Sequence, residues 1–588
     1  MRIKRKKVEL RFKGIPVSPG IFIGRVIFFL TPRIDIRPRK IRIEDIEQEV
    51  ARFMRARQSY ISELERMKSS FQGGLISLID TQIAMLRDGT FEREVLSLIR
   101  NQQRPAEYAI DRAIQNLTRS LRTSDSEYMR ERANEMERLA HDLIRKMGDL
   151  EPTAPRAAHI RNKVVLAYDL SIQDTLNLIK KGAKGFAVAF GGITSHAAII
   201  IRNYKLPAVF GLGEEFVQAL QNNEIIEGDR IIVDGSKGHV IVNPKKNTVE
   251  QYKRLLEEHE RAQKELLQLV DKPTVTEDGI RFAVNGNIDL SDELQLVMEF
   301  GGHGIGLFRT EFLFQDYGQN EDGQTRVYRN IARHIYPGHL VIRLFDLGAD
   351  KLIGTMKPET ALGMRGIRAL LLEDSKKTLR TQVRAILRAN RRGNIKLMVP
   401  MISTIEEIIA VKEIVQDEFK ELRKRYRRIQ FPEFGIMVET PSAAILSDKI
   451  AELVDFISIG TNDLTQYVLA VDRADARLSF MFDHLHPSVV RLVCRVVEAA
   501  HKAHTWVSVC GEMASDPLAV PLLVAMRIDE FSVAPGAILV TKKIINSIDQ
   551  KSASKVLEKV LNSSTVDEVR EIMVDYLKSK GLDIETLQ

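Results

Sequence analysis

The sequence predicts a multidomain α/β protein: an α/β domain with an inserted helical bundle, a linker helix, and a C-terminal (β/α)8 TIM barrel. Three observations predict it. From about Ile280 onward, eight candidate strands alternate with helical segments, the pattern of a parallel barrel. Residues 43–147 carry repeated helical periodicity with almost no β-branched runs. The chain has 588 residues, too many for a single core.

The elements follow in order. Residues 14–30 (GIPVSPGIFIGRVIFFL) read as short strands separated by Pro and Gly turns. Residues 50–70, 75–85, 91–100, 106–122 and 128–147 read as helices, with a turn at Asp88-Gly89 and a stop at Gly148. Residues 163–167, 185–190 and 230–234 read as strands alternating with helices, so the pieces flanking the helical stretch belong to one domain. A charged amphipathic stretch, 249–269, reads as a linker helix. The barrel strands are expected at 281–284, 304–308, 340–345, 396–399, 435–438, 456–459, 507–509 and 530–533. The expected boundaries are 1–36, 37–149, 150–245, 246–272 and 273–588, with residues 1–12 a disordered, solvated basic tail.

Composition narrows the function classes. Hydrophobic residues make up 44% and charged residues 28%, values of a soluble globular protein. No apolar run approaches the roughly 20 residues of a membrane helix, so no membrane insertion is expected. The basic start lacks the apolar core of a signal peptide. Cys494 and Cys510 are the only cysteines, which suggests a reducing, cytoplasmic setting without disulfides. The net charge is +8, yet the charges are interspersed and no zinc-finger or aromatic RNA-binding pattern occurs. No nucleic acid partner is therefore expected. The densest internal basic cluster, Arg423 to Arg428 (RKRYRR), reads as a solvated helix end.

Two places carry chemistry. In Gly191-Gly192-Ile193-Thr194-Ser195-His196, a strand-like run gives way to an apolar run of helical length. The glycines let a bound group approach the backbone, Thr194 and Ser195 are helix-capping types, and a helix start suits phosphate. His196 there is placed either to carry a phosphoryl group or only to pack. In the barrel, polar residues follow several strands at once: Arg309 and Glu311, Arg343 and Asp346, Glu439, Asn462 and Asp463, Cys510 and Glu512. These positions converge at the carboxyl face of a barrel. Arginines there clamp phosphate or carboxylate, Glu439 and Asp463 suit Mg²⁺, and Cys510 is an acid or a nucleophile.

With these motifs in view, the chain closely resembles Enzyme I of the bacterial phosphotransferase system, the family of phosphoenolpyruvate–protein phosphotransferases. The resemblance runs from about Gly14 to the last helices. It rests on GIPVSPGI from Gly14, GGITSHAAI around His196, LPAVFG from Leu206, GLFRTEFL from Gly306, VETP from Val438, SIGTNDLTQY from Ser458, VDR from Val471 and CGE from Cys510. It implies a swivelling phosphohistidine domain in which His196 attacks the phosphoryl group through Nε2. It implies that Ser171 matches a threonine that hydrogen-bonds the histidine. It further implies that Arg309, Arg343 and Arg473 hold the phosphate of phosphoenolpyruvate (PEP), with Arg365 assisting and Asn462 in contact with it. Asp463 and Glu439 would bind Mg²⁺, and Cys510 would protonate the enolate carbon. The implied partners are PEP, a small histidine-bearing carrier (HPr) docked on 43–147, and a second copy in a homodimer. The implied domain motion places a mobile linker near 243–272.

Several positions depart from the family pattern. Glu359 and Thr360 stand where Asn-Pro is usual, ahead of the Leu362-Gly-Met-Arg365 motif. Ile79-Asp80-Thr81-Gln82 replaces a Phe-Glu-x-His pattern, and Arg87 is a new cation where docking is expected. Related dikinases and PEP synthases need an additional large ATP-binding domain, for which this chain has no room. A mainly signalling role for a phosphorylated His196 stays open, and a dead scaffold is disfavoured because no implied site residue is missing.

Overall fold

The computed structural model describes residues 8–30, 38–68, 82–122, 136–137, 139–140, 142–147, 160–192, 195–348, 362–473 and 478–583. The chain forms two compact units, 1–258 and 259–588.

The first unit is built on an eight-stranded mixed sheet of order β1-β8-β7-β3-β4-β5-β6-β2. Its strands are β1 (Leu10–Lys13), β2 (Ile15–Ser18), β3 (Ile21–Phe29), β4 (Val164–Ala167), β5 (Gly185–Val188), β6 (Ala208–Phe210), β7 (Arg230–Asp234) and β8 (His239–Val242). The long β3 joins the two halves. Its first residues pair antiparallel with β7, and its last four pair parallel with β4. Successive residues of β4 feed different cores: Val164 and Leu166 face one apolar layer, and Val165 and Ala167 the other. That two-sided burial is what a continuous apolar run encodes.

The expected basic tail is corrected here. Leu10–Lys13 form β1, paired antiparallel with β8. Two forces order it. Phe12 packs edge-on against Phe216 at 5.2 Å. The Glu9 carboxylate accepts from Lys245 N (2.6 Å) and Thr248 Oγ1 (2.8 Å). Residues 1–7 lie outside the described residues.

The helical stretch contains Ile46–Lys68, Gly89–Gln102 and Ala106–Arg122, with further helical residues at 82–87 and within 136–147. It has its own core, including Phe53, Leu64, Phe91, Val95, Ile110 and Leu143. The helix expected at 75–85 and the one expected at 128–147 fall partly outside the described residues.

The linker stretch is a helix, Lys246–Leu267. The second unit is a closed parallel barrel. Its strands are β9 (Ala283–Ile288), β10 (Ile305–Phe308), β11 (Leu340–Arg343), β12 (Ile395–Val399), β13 (Glu433–Val438), β14 (Phe456–Ile459), β15 (Trp506–Val509) and β16 (Glu530–Val533). Pairing of β16 with β9 closes it. Seven strands fall close to the expected places. The first does not: it spans 283–288 rather than 281–284. Inside the barrel, Leu307, Val341, Met398, Met437, Phe456 and Cys510 pack together, with Trp506 stacked on Phe456 at 4.8 Å. The barrel is thus filled, and polar groups gather at one mouth. Among the described residues, no helix is long and apolar enough to cross a membrane.

Candidate active site

At the carboxyl ends of the barrel strands lies a cavity of about 580 Å³. Its lining includes Asn287, Arg309, Arg343, Arg365, Glu439, Asn462, Asp463, Arg473 and Cys510. Every barrel residue singled out from the sequence as a site candidate therefore borders one space.

Strand geometry explains the convergence. Arg343 is the last residue of β11, and Arg309, Glu439 and Cys510 each follow directly after β10, β13 and β15. Asn462 and Asp463 open the helix Thr461–Leu469 after β14. Short strands ending at one level deliver these side chains to one mouth.

A charged lattice holds the arginines. Arg343, 8% exposed, donates from Nη2 to Glu311 Oε1 (2.9 Å) and lies 3.6 Å from Asp346 Oδ2. Glu311 Oε1 also accepts from Asp346 N (2.9 Å). Arg365 grips Asp346 with two hydrogen bonds and reaches Asp463 Oδ1 at 3.5 Å. Burial opposes the charge on Arg343 and Arg365, but the surrounding carboxylates outweigh it and hold both guanidiniums firmly charged. Burial likewise opposes the charge on Asp346, yet Arg343 and Arg365 keep its carboxyl below the usual range. Arg343 Nε is buried and makes no hydrogen bond within the described residues.

The mouth also carries an acidic wall. Glu439 is 1% exposed, and its Oε1 accepts from Met401 N (2.6 Å). Burial, then the charges of Asp463 and Asp346, push its carboxyl well above the usual range. Such crowding disfavours charge unless a cation is shared.

Cys510 is buried, with Sγ 3.6 Å from the Ile459 carbonyl. Burial pushes its thiol up to about 11. It therefore stays protonated at neutral pH, which suits an acid and not a thiolate nucleophile. Asn462 and Glu512 hold one another: Asn462 Nδ2 donates to Glu512 Oε1 (3.3 Å), and Glu512 N donates to Asn462 Oδ1 (2.8 Å). Arg473 is exposed at the rim, its backbone N bonded to Gln466 Oε1 (3.1 Å).

The sequence reading passed over Asn287 and Asp289. Asn287 Nδ2 donates to the carbonyls of Cys510 (3.0 Å) and Ser532 (2.9 Å), which fastens the Cys510 loop to β16. Asp289 Oδ1 accepts from Arg309 Nη1 (3.3 Å). Both follow from the true end of β9; the signal was the alternation in AVNGNID from Ala283.

In the first unit, His196 opens the helix His196–Asn203, behind Ser195, whose Oγ accepts from Ala198 N (3.3 Å). Gly191, at φ 99°, makes the preceding turn in a conformation that favours glycine. The His196 side chain and residues 193–194 lie outside what the structure describes. Ser171 caps the helix Ile172–Lys180: its Oγ accepts from Asp174 N (3.1 Å) and donates to Asp174 Oδ2 (2.7 Å). Glu359 and Thr360 also lie outside the described residues.

Comparison with known proteins gives the family. Three family models match in order: the PEP-utilising enzyme N-terminal region at 13–132, the mobile domain at 160–238 and the PEP-binding domain at 263–550. A phosphoenolpyruvate-protein phosphotransferase of Listeria innocua is 35% identical over 574 residues, covering 96% of this chain and 99% of that protein. One of Bacillus subtilis is 35% identical over 569 residues, covering 95% and 98%. Likeness on this scale spans both the His196 segment and the barrel mouth, and the chain belongs to the phosphoenolpyruvate-protein phosphotransferase family.

Proposed function

We propose that the protein catalyses PEP-dependent phosphorylation of its own His196, releases pyruvate, and passes the phosphoryl group to a histidine of an HPr-type carrier, the first step of sugar phosphotransfer. The observation that carries this reading is the barrel mouth, where charged guanidiniums, an acidic wall and a protonated thiol border one cavity.

The chemistry is matched to the groups. Arg309, Arg343 and Arg473, with Arg365, take the phosphate and carboxylate oxygens through forked hydrogen bonds. Asn462 contacts the phosphate. Glu439 and Asp463 would hold Mg²⁺, with waters and substrate oxygens completing its shell. When bound, the cation would neutralise charge on the transferring phosphoryl group. As the P–O bond to the enolate breaks and the bond to His196 Nε2 forms, the enolate carbon takes a proton from the Cys510 thiol and becomes pyruvate. Attack needs the neutral imidazole, which is abundant near pH 7.

The same reading divides the chain at 1–36, 37–149, 150–245, 246–272 and 273–588, and gives the helical insert the role of docking the carrier. It includes a homodimer, since closed twofold pairs are the commonest oligomers, and a cytoplasmic setting consistent with two unpaired cysteines.

The test is incubation with labelled PEP and Mg²⁺, followed by mapping of acid-labile, base-stable phosphate. Label on His196 that disappears in His196→Ala is the expected result. A folded protein that takes up no label, or takes it elsewhere, would overturn the reading.

A further inference from the structure

Backbone strain singles out one residue beside the acidic wall. Among the described residues, nine other than glycine adopt φ between 50° and 63°, in the left-handed region. Eight of them are exposed or half-buried. The ninth, Met401 (φ 58°), is buried at 1% exposure. A long apolar side chain lacks the short polar group with which Asn or Asp offsets the cost of that conformation. Such strain persists only where the surroundings over-determine it.

The surroundings do so on two sides. Strand β12 ends at Val399, Pro400 follows, and the turn at Met401 aims its N–H at Glu439 Oε1 (2.6 Å). The next residue is caught as well, because Thr440 Oγ1 donates to the Ile402 carbonyl (2.7 Å). The chain after β12 is thus fastened to two consecutive residues just after β13. On the other side, a Cβ on Gly366 would lie 2.7 Å from Met401 Cβ and 3.1 Å from Asp346 Oδ1. Gly366 follows Arg365. Met401 therefore stands between the acidic wall and the arginine lattice, with close contacts to both.

A carboxylate has two oxygens, and this contact divides them. Oε1 of Glu439 is committed to the Met401 amide. Oε2 lies over Gly460, where a Cβ would come within 3.0 Å of it, and Gly460 lines the cavity. An outer hydrogen bond that orients a ligating group is felt tenfold or more in metal affinity.

We propose that Met401 is a positioning residue: its strained turn holds Glu439 so that Oε2 faces the cavity as the ligand for the divalent cation. The main chain of Met401 does this, not its side chain. The inference rests on the cation-binding reading of the cavity given above.

Substitutions separate the two contributions, because they affect them in opposite order. Glycine and asparagine accept φ near 58° but give up the buried apolar side chain. Isoleucine keeps the apolar volume but, branched at Cβ, resists that φ. Mn²⁺ is titrated into the full chain carrying His196→Ala, with PEP present, and free Mn²⁺ is followed by its electron paramagnetic resonance. Without His196 the PEP is not consumed. Met401→Gly and Met401→Asn are expected to bind Mn²⁺ within about twofold of the parent, and Met401→Ile about tenfold more weakly. Met401→Val, smaller and branched in the same way, takes its place if Met401→Ile does not fold.

Parent-like binding in Met401→Ile with loss in Met401→Gly would show that the side chain only packs. Equal binding in every variant would show that the turn has no part in holding the cation. Either result overturns the proposal and leaves the cation reading standing. A parent chain that binds no Mn²⁺ would instead remove the cation reading, and the proposal with it.

Discussion

Arg365 holds Asp346 through two parallel hydrogen bonds, Nε to Oδ1 at 3.2 Å and Nη2 to Oδ2 at 2.7 Å, and Asp346 in turn faces Arg343 at 3.6 Å. The carboxylate therefore sets the spacing of two guanidiniums while its side chain is only 2% exposed. Removing one partner from a buried ionic group leaves the others uncompensated. Asp346→Ala is expected to destabilise the barrel by about 3 kcal/mol. Trp506, the single tryptophan, sits in β15, so denaturation followed by its fluorescence reports on the barrel. An unchanged midpoint would show that solvent already screens this triad.

Cys510 offers a direct pH test. Its thiol is pushed up to about 11 from an ordinary value of 9.0, chiefly by burial. Below the ordinary value both the folded and unfolded forms keep the proton. Between the two values only the unfolded form loses it, so this group's contribution to stability falls as pH rises through that window. Alkylation of Cys510 should be slow at neutral pH and accelerate toward pH 11. Cys510→Ala should lower turnover about a hundredfold to ten-thousandfold, the range for loss of a positioned acid, while PEP binding persists. Equal loss of binding would reject the proton-donor role.

What the sequence made legible follows from burial. The barrel strands at 340–343 (LVIR) and 456–459 (FISI) are short, mainly apolar runs, and they lie close to where the pattern predicts them. β9 was misread because it carries Asn285 and Asn287 inside the strand, where polar residues suggest a loop. Asn287 is there to bond two carbonyls across the barrel, a tertiary demand that local pattern does not reveal. β6 has only three residues, too few for a period to register. β1 alternates Leu10, Arg11, Phe12, Lys13 beneath a run of basic residues, and net charge masked its apolar face. His196 is legible as a candidate from the glycines and capping residues ahead of it, whereas its attack through Nε2 and the role of Ser171 rest on family likeness. The structure adds a capping task for Ser171, which any Ser or Thr could perform.

Asp142 gives the first unit its own pH dependence. Tyr60 OH donates to it (3.1 Å), Arg145 Nη2 donates to it (2.9 Å), and Arg145 also reaches Asp174 (3.1 Å). Burial pushes its carboxyl up to about 6, with Asp174 and Asp169 adding to the push and Arg145 opposing it. A raised value means that the stabilising contribution is present at acid pH and lost as pH rises through about 6. Asp142→Asn keeps an acceptor for Tyr60 and removes the charge. It should raise the melting temperature of 1–258 at pH 7.5 relative to wild type and leave it little changed near pH 4. Lower stability of the variant at both pH values would show that the Arg145 pair outweighs burial.

Gly511 ties backbone conformation to chemistry. A Cβ on it would lie 2.0 Å from Thr461 Oγ1 and 2.7 Å from Thr461 N, so Gly511→Ala must displace the turn that begins the Asn462–Asp463 segment. Cys510 and Glu512 flank the same residue. The expected result is a drop in turnover together with weaker PEP binding, because both walls of the cavity move. Kinetics against PEP concentration would reveal it; unchanged constants would mean that the loop has room to yield.

Glu439 should show stability and activity moving in opposite directions. Its carboxyl is pushed well above the usual range, by burial first and by Asp463 and Asp346 next. Without a cation this charge is a burden on the fold, and Glu439→Gln removes it while leaving an oxygen to accept from Met401 N. The variant should therefore melt no lower than wild type in the absence of Mg²⁺. The same change removes one of two oxygen donors at the acidic wall, so it should abolish the stabilisation that wild type gains on adding Mg²⁺ and PEP together. Labelling of His196 should fall by about a hundredfold or more, the scale on which a preorganised charge-stabilising group is felt. A variant that melts lower yet labels normally would show that Glu439 braces the barrel and takes no part in holding the cation.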